Sequence, residues 1–144
     1  MTQIDFYILQ DAGGTQLQRF ACRLVDKAWQ RGLRCHINTA TPEQAERIDD
    51  LLWTFRDISF LPHAKGITNS EDSQRLAAVI GTGTEPAGEL NVLINLSPEV
   101  PAFFSRFERV AELVDNDESR RTAGRERFRF YRDRGYPLES HNIR

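Results

Sequence analysis

Arg121, Arg125, Phe128 and Arg132 recur at spacings of four, three and four, and Arg129 stands next to Phe128. Residues so spaced share one face of a helix, which predicts a stripe of guanidinium groups around an aromatic ring. A solvated basic face is the ordinary fate of such a stripe. This one holds an aromatic, and the neighbouring acids Glu126 and Asp133 fall off its line. Uncompensated arginines around an apolar spot attract an anion that also carries a hydrophobic part. Nucleic acid would set phosphates on the arginines and stack a base on Phe128. An acidic peptide ending in an apolar residue needs only one compact site, with arginines for its carboxylates and a pocket for its last side chain. The compact patch favours the peptide.

The charge distribution points the same way. Residues 120–144 carry eight arginines against three acids, whereas residues 1–119 carry eleven basic against eighteen acidic residues, so a formal net charge of −2 hides two opposite halves. The acidic remainder opposes a long polyanion and tolerates a short one.

A second cluster joins Leu51-Leu52-Trp53 to Phe60-Leu61-Pro62-His63. Trp53 reads either as core or, with Phe60, Pro62 and His63 ahead of a polar loop, as a protein-binding patch. Other chemistry has little to stand on. Gly13-Gly14 between a strand and a helix invites a phosphate, but no Gly-x-Gly-x-x-Gly or Gly-Lys-Ser/Thr accompanies it, and Gly81-Thr82-Gly83 reads as a tight turn. Asp49-Asp50 and Glu71-Asp72 read as solvated charge. Cys22 and Cys35 lack a partner motif and read as small buried hydrophobes. His36, His63 and His141 stand too far apart for recognised ligand spacing, so neither a metal nor a cofactor is expected, and no catalytic constellation argues for an enzyme.

The elements that must position these residues follow from hydrophobic period. Ile4–Leu9 reads as a buried strand. Leu17, Phe20, Ala21, Leu24, Val25 and Ala28 fall at helical spacing up to Gly32, and Arg34–Asn38 reads as a second strand. Thr41-Pro42-Glu43-Gln44 is a helix start, with Thr as N-cap, Pro at the first helical position and Gln two places on. Strands are predicted near 76–80, 90–96 and 107–114, and a polar loop over 64–73. A last helix runs from about Glu118 to Arg134, ended by Gly135 and Pro137. Alternation of strand and helix predicts one α/β domain over residues 1–144: three layers, a mostly parallel, mixed sheet with helices on both faces, Rossmann-like. No run of about 18 apolar residues occurs and the first residues lack a signal-peptide pattern, so a cytoplasmic chain with no membrane span is expected.

Taken in order, Phe6-Tyr7-Ile8-Leu9, Asp50–Trp53, Phe60–His63, Leu93–Leu96, Phe103–Asp115 and Gly124–Arg132 resemble the chi subunit of bacterial DNA polymerase III holoenzyme, essentially end to end. The resemblance implies a non-catalytic accessory subunit of the clamp-loader assembly, with a nucleotide-binding type of fold but no nucleotide. Its partners would be the psi subunit and the acidic C-terminal tail of single-stranded DNA-binding protein, with DNA met only indirectly. By motif, Arg121, Arg125, Phe128 and Arg129 match the tail-binding positions, with Val114 lining the pocket and Arg132 on the same stripe. Trp53 and Phe60, with Pro62 and His63, match the psi-facing patch. Ile143 stands where the best-known family form has a tryptophan that helps cover the tail pocket. Arg at 121 and 129 replaces a lysine the family can carry, and Phe128 a tyrosine, which keeps charge and ring. A direct nucleic-acid-binding module and a nucleotide-binding enzyme are the alternatives.

Overall fold

The structure is a computed structural model, and residues 1–10, 16–54, 61–65, 76–88 and 90–143 are described. The elements run β1 (Gln3–Leu9), α1 (Gln16–Gln30), β2 (Cys35–Asn38), α2 (Pro42–Thr54), β3 (His63–Lys65), β4 (Ala78–Gly81), β5 (Val92–Asn95), a short 3-10 turn (Phe104–Arg106), β6 (Arg109–Val114), α3 (Glu118–Asp133) and β7 (Leu138–Ile143). Seven strands form one sheet in the order β3-β4-β2-β5-β6-β1-β7. Every pairing among the described residues is parallel, which bears out the mostly parallel, Rossmann-like α/β expectation and leaves no antiparallel strand to make the sheet mixed.

Strand alternation divides the core in two. Cys35, Ile37, Ala78, Ile80, Ile94, Ala111, Leu113 and Leu9 point to the face covered by α1 and α2. Ile4, Phe6, Val79, Leu93, Val110 and Val114 point to the other face, covered by α3 and the aromatics Phe103, Phe104 and Phe107. The starts of α2 and α3 are capped. Thr41 Oγ1 accepts from the Gln44 amide at 3.1 Å and Gln44 Oε1 from the Ala40 amide at 2.8 Å, while Asp117 accepts from the Arg120 amide at 2.9 Å. Gly135, at φ +78°, ends α3 in the left-handed conformation that favours glycine.

Two strands escape the sequence reading. β3 intrudes on the predicted loop over 64–73, and β7 follows α3 where none is predicted. Both lie at the rims of the sheet, where a strand has one neighbour and keeps polar residues, so Leu138-Glu-Ser-His-Asn-Ile143 carries little hydrophobic signal.

Candidate functional site

Helix α3 sits over β6, β1 and β7 and is locked there from beneath. Glu112 of β6 is completely buried beneath it and accepts three side-chain donors: Arg127 Nε at 2.7 Å, the Tyr131 hydroxyl at 2.6 Å and Asn95 Nδ2 at 3.0 Å. Asn38 Nδ2 of β2 continues the chain to Asn95 Oδ1 at 3.0 Å, so one polar network crosses three strands into the helix. Burial pushes the Glu112 carboxyl up, against the opposing pull of Arg127, Tyr131 and Asn95, and burial beside Glu112 raises the Tyr131 phenol as well. Such a network has one satisfied geometry, and it fixes the rotation of α3.

With Arg127 and Tyr131 turned inward, α3 presents Arg121, Gly124, Arg125 and Phe128 to a cleft of about 160 Å³. Phe6, Ile8, Val114 and Ser140 form its floor and far wall. Phe128 is half-buried and meets Phe6 edge-on, with ring centroids 5.3 Å apart. The floor is apolar and the rim is cationic.

The arginines of α3 divide sharply by partner. Arg120 pairs with Asp115 at 2.7 Å, Arg127 with Glu112 at 2.7 Å, Arg129 with Glu126 at 2.7 Å and Arg132 with Asp133 at 3.2 Å. Arg134 lies over the Phe130 ring, 3.6 Å from its centroid. Among the described residues, Arg121 and Arg125 meet only neutral oxygens, Asn116 Oδ1 at 2.8 Å and Thr122 Oγ1 at 3.2 Å, and both are exposed. The stripe, expected to be almost free of partner acids, is partly compensated, because long side chains let Glu126 and Asp133 reach Arg129 and Arg132 from off the line. Among the described residues, Arg121 and Arg125 are the guanidinium groups of α3 left without an acid, and both line the cleft.

Of the residues expected at the tail site, the structure therefore brings together Arg121, Arg125, Phe128 and Val114. Arg129 and Arg132 lie on the helix outside the cleft lining. Ile143 is on the opposite face of the sheet, beside Tyr7, Phe20 and Leu24, because β7 alternates and turns Ser140 to the cleft instead. Phe6, Ile8, Ser140 and Gly124 also line the cleft, and the sequence reading does not place them there. An interior helix glycine is the signal that marks Gly124, since it costs about 1 kcal/mol against alanine unless close packing demands it.

At the second cluster, Trp53 lies in the last turn of α2 with 54 % of its surface exposed and packs edge-on against His63, centroids 4.7 Å apart. His63 is buried; its Nδ1 donates to the Leu61 carbonyl at 2.6 Å and its Nε2 lies 3.2 Å from Asp49 Oδ1. Pro62 is half-buried, and its carbonyl accepts from the Ala77 amide at 2.7 Å. Phe60 lies outside the described residues, as do Gly13-Gly14 and Glu71-Asp72. Cys22 and Cys35 are buried free thiols, both pushed up to about 12 by burial. No helix among the described residues is long and apolar enough to cross a membrane.

The fold is shared with two solved structures of low identity. T4 UvsW matches at TM-score 0.67 and 10% identity over 99% of this chain and 41% of that one. The Pyrococcus furiosus Hef helicase domain matches at 0.58 and 11% over 77% and 28%. Sequence relatives are named DNA polymerase III subunit chi. They include proteins of Pseudomonas aeruginosa, 38% identical over 99% of this chain and 98% of the relative, of Haemophilus influenzae, 29% over 96% and 95%, and of Escherichia coli, 25% over 97% and 97%. A family model described as DNA polymerase III chi subunit, HolC, matches residues 1–139, and the chain belongs to that family of polymerase subunits.

Proposed function

We propose that the chain is a non-catalytic bridge within the replicative polymerase: the α3 cleft grips the acidic C-terminal tail of single-stranded DNA-binding protein, and the Trp53 patch holds the psi subunit of the clamp loader. The carrying observation is the pair Arg121 and Arg125, unmatched by any acid among the described residues, on the rim of an apolar cleft floored by Phe6, Ile8 and Val114. A cleft of about 160 Å³ accepts one aromatic side chain, as a cavity of ~150 Å³ accepts benzene. The terminal carboxylate and the acids before it then meet the two guanidinium groups in charge-assisted hydrogen bonds.

Arg129 and Arg132 are already paired, so they add background potential rather than contacts. The exposed Trp53 supplies the aromatic anchor of the second surface, with His63 packed edge-on against it and Pro62 next to His63 in the chain. A tail this short gains affinity of the order of micromolar, about −8 kcal/mol, multiplied when an oligomeric coating protein offers several tails.

The test is a calorimetric titration with an acidic peptide ending in Phe, repeated with its terminal carboxylate amidated. Loss of affinity on amidation supports carboxylate capture, and equal affinity rejects it. An oligonucleotide titration at two ionic strengths separates the peptide reading from direct nucleic-acid binding, which would show a steep salt slope.

A further inference from the structure

Asp5 lies within β1 and is only 5 % exposed. Aspartates are rarely so buried unless something compensates the charge. Its register partner on β7 is Glu139, a second carboxylate, and like charges directly opposite one another on a sheet repel. Two residues along β7, on the same face of that strand, His141 brings Nε2 to 3.2 Å from Asp5 Oδ1 and 3.9 Å from Glu139 Oε2. The ring is held in place by stacking on Tyr7, with centroids 4.9 Å apart and planes 19° from parallel. One donor atom from each of the three residues lies within 4.8 Å of the other two.

Those separations have a specific meaning. A tetrahedral zinc ion bound to imidazole and carboxylate at 2.0–2.2 Å holds its donors about 3.4 Å apart. The distances from His141 Nε2 fall on either side of that value, and the outlier belongs to Glu139, whose exposed side chain is free to close the gap. A cation at the centre would also turn the Asp5–Glu139 repulsion into shared attraction.

We infer that Asp5, Glu139 and His141 form a binding site for a zinc-type divalent transition metal, with the fourth coordination position open. The imidazole ligand, with only two carboxylates, disfavours calcium and magnesium, which take oxygen ligands. Arg109 and Lys27 line the neighbouring cavity with Asp5, and their charge opposes a cation at the site. The ligands come from the first and last strands of the chain, so the metal ties β7 to β1. On the opposite face of β7, Ser140, between two of the ligands, lines the α3 cleft. The inference is independent of the peptide reading of that cleft.

The experiment is a titration of chelator-treated full-length protein with zinc chloride at neutral pH, followed by calorimetry and thermal melting. One equivalent should bind and raise Tm, and calcium chloride should give neither effect. Glu139→Gln should weaken zinc binding by about tenfold or more with the Tm of the metal-free protein little changed, and His141→Gln should abolish zinc binding. Long-range nitrogen NMR should show zinc moving the His141 Nε2 signal and leaving His36 and His63 alone. Absence of saturable zinc binding, or equal zinc binding in the wild type and both variants, overturns the inference.

Discussion

Gly124 rests directly on Val114: a Cβ added at position 124 would lie 2.9 Å from Val114 Cγ2 and 3.4 Å from Cγ1. The absent side chain lets α3 approach β6 closely enough for Arg121, Arg125 and Phe128 to rim a cleft floored by that same valine. Gly124→Ala gains about 1 kcal/mol of helix propensity but forces an overpacked contact costing roughly 1–3 kcal/mol. A net loss of stability in urea melts and weaker peptide binding are expected, and adding Val114→Ala should restore binding toward the wild type. Unchanged binding in Gly124→Ala would show that helix height does not set the cleft.

The partner division among the arginines predicts an uneven alanine scan. Arg125→Ala and Arg121→Ala should each cost about 1.5–3 kcal/mol of peptide affinity, the worth of a hydrogen bond to a charged group, with thermal stability preserved because only neutral, exposed partners are lost. Arg129→Ala, already ion-paired with Glu126 and outside the cleft lining, should cost well under 1 kcal/mol. Equal effects at 125 and 129 in a fluorescence titration would contradict the cleft as drawn.

Removing one member of the buried pair beneath α3 should be far more damaging. Glu112→Gln leaves the Arg127 guanidinium without its counter-charge at a site where Arg127 is 5 % exposed, and a loss of about 3–5 kcal/mol is expected. Far-UV circular dichroism during chemical denaturation measures it. A loss below about 1 kcal/mol would mean that the network does not hold the helix.

His36 supplies a prediction about acid. It is 1 % exposed, packed against both Phe103 and Phe107, and burial lowers its pKa to about 4. The folded state thus refuses a proton that the unfolded chain accepts below pH 6.5. Stability is complete above that pH and falls as the pH drops toward 4, by about 1.4 kcal/mol per unit or some 3 kcal/mol in all. Proton NMR should find the His36 ring titrating far below an ordinary histidine; a midpoint above 6 would remove the effect.

Residue period carries α1, α2 and the inner strands, because elements that bury a whole face must repeat their apolar residues. The capping residues Thr41 and Gly135 mark helix ends for equally local reasons. The rim strands β3 and β7 leave no such trace, since an element with one neighbour buries too little to impose a pattern. The cleft is legible in part: α3 writes Arg121, Arg125 and Phe128 at helical spacing, whereas Phe6, Ile8 and Ser140 reach it from strands more than 100 residues apart along the chain.

By itself, then, the order of amino acids determined the α/β class, the basic aromatic helix and the polymerase-subunit family. Tertiary structure alone decided which arginines stay unpaired, which way Ile143 faces and that Asp5, Glu139 and His141 meet. Local preference acts over a few bonds, whereas charge compensation and cleft lining depend on distances through space between strands that only folding brings side by side.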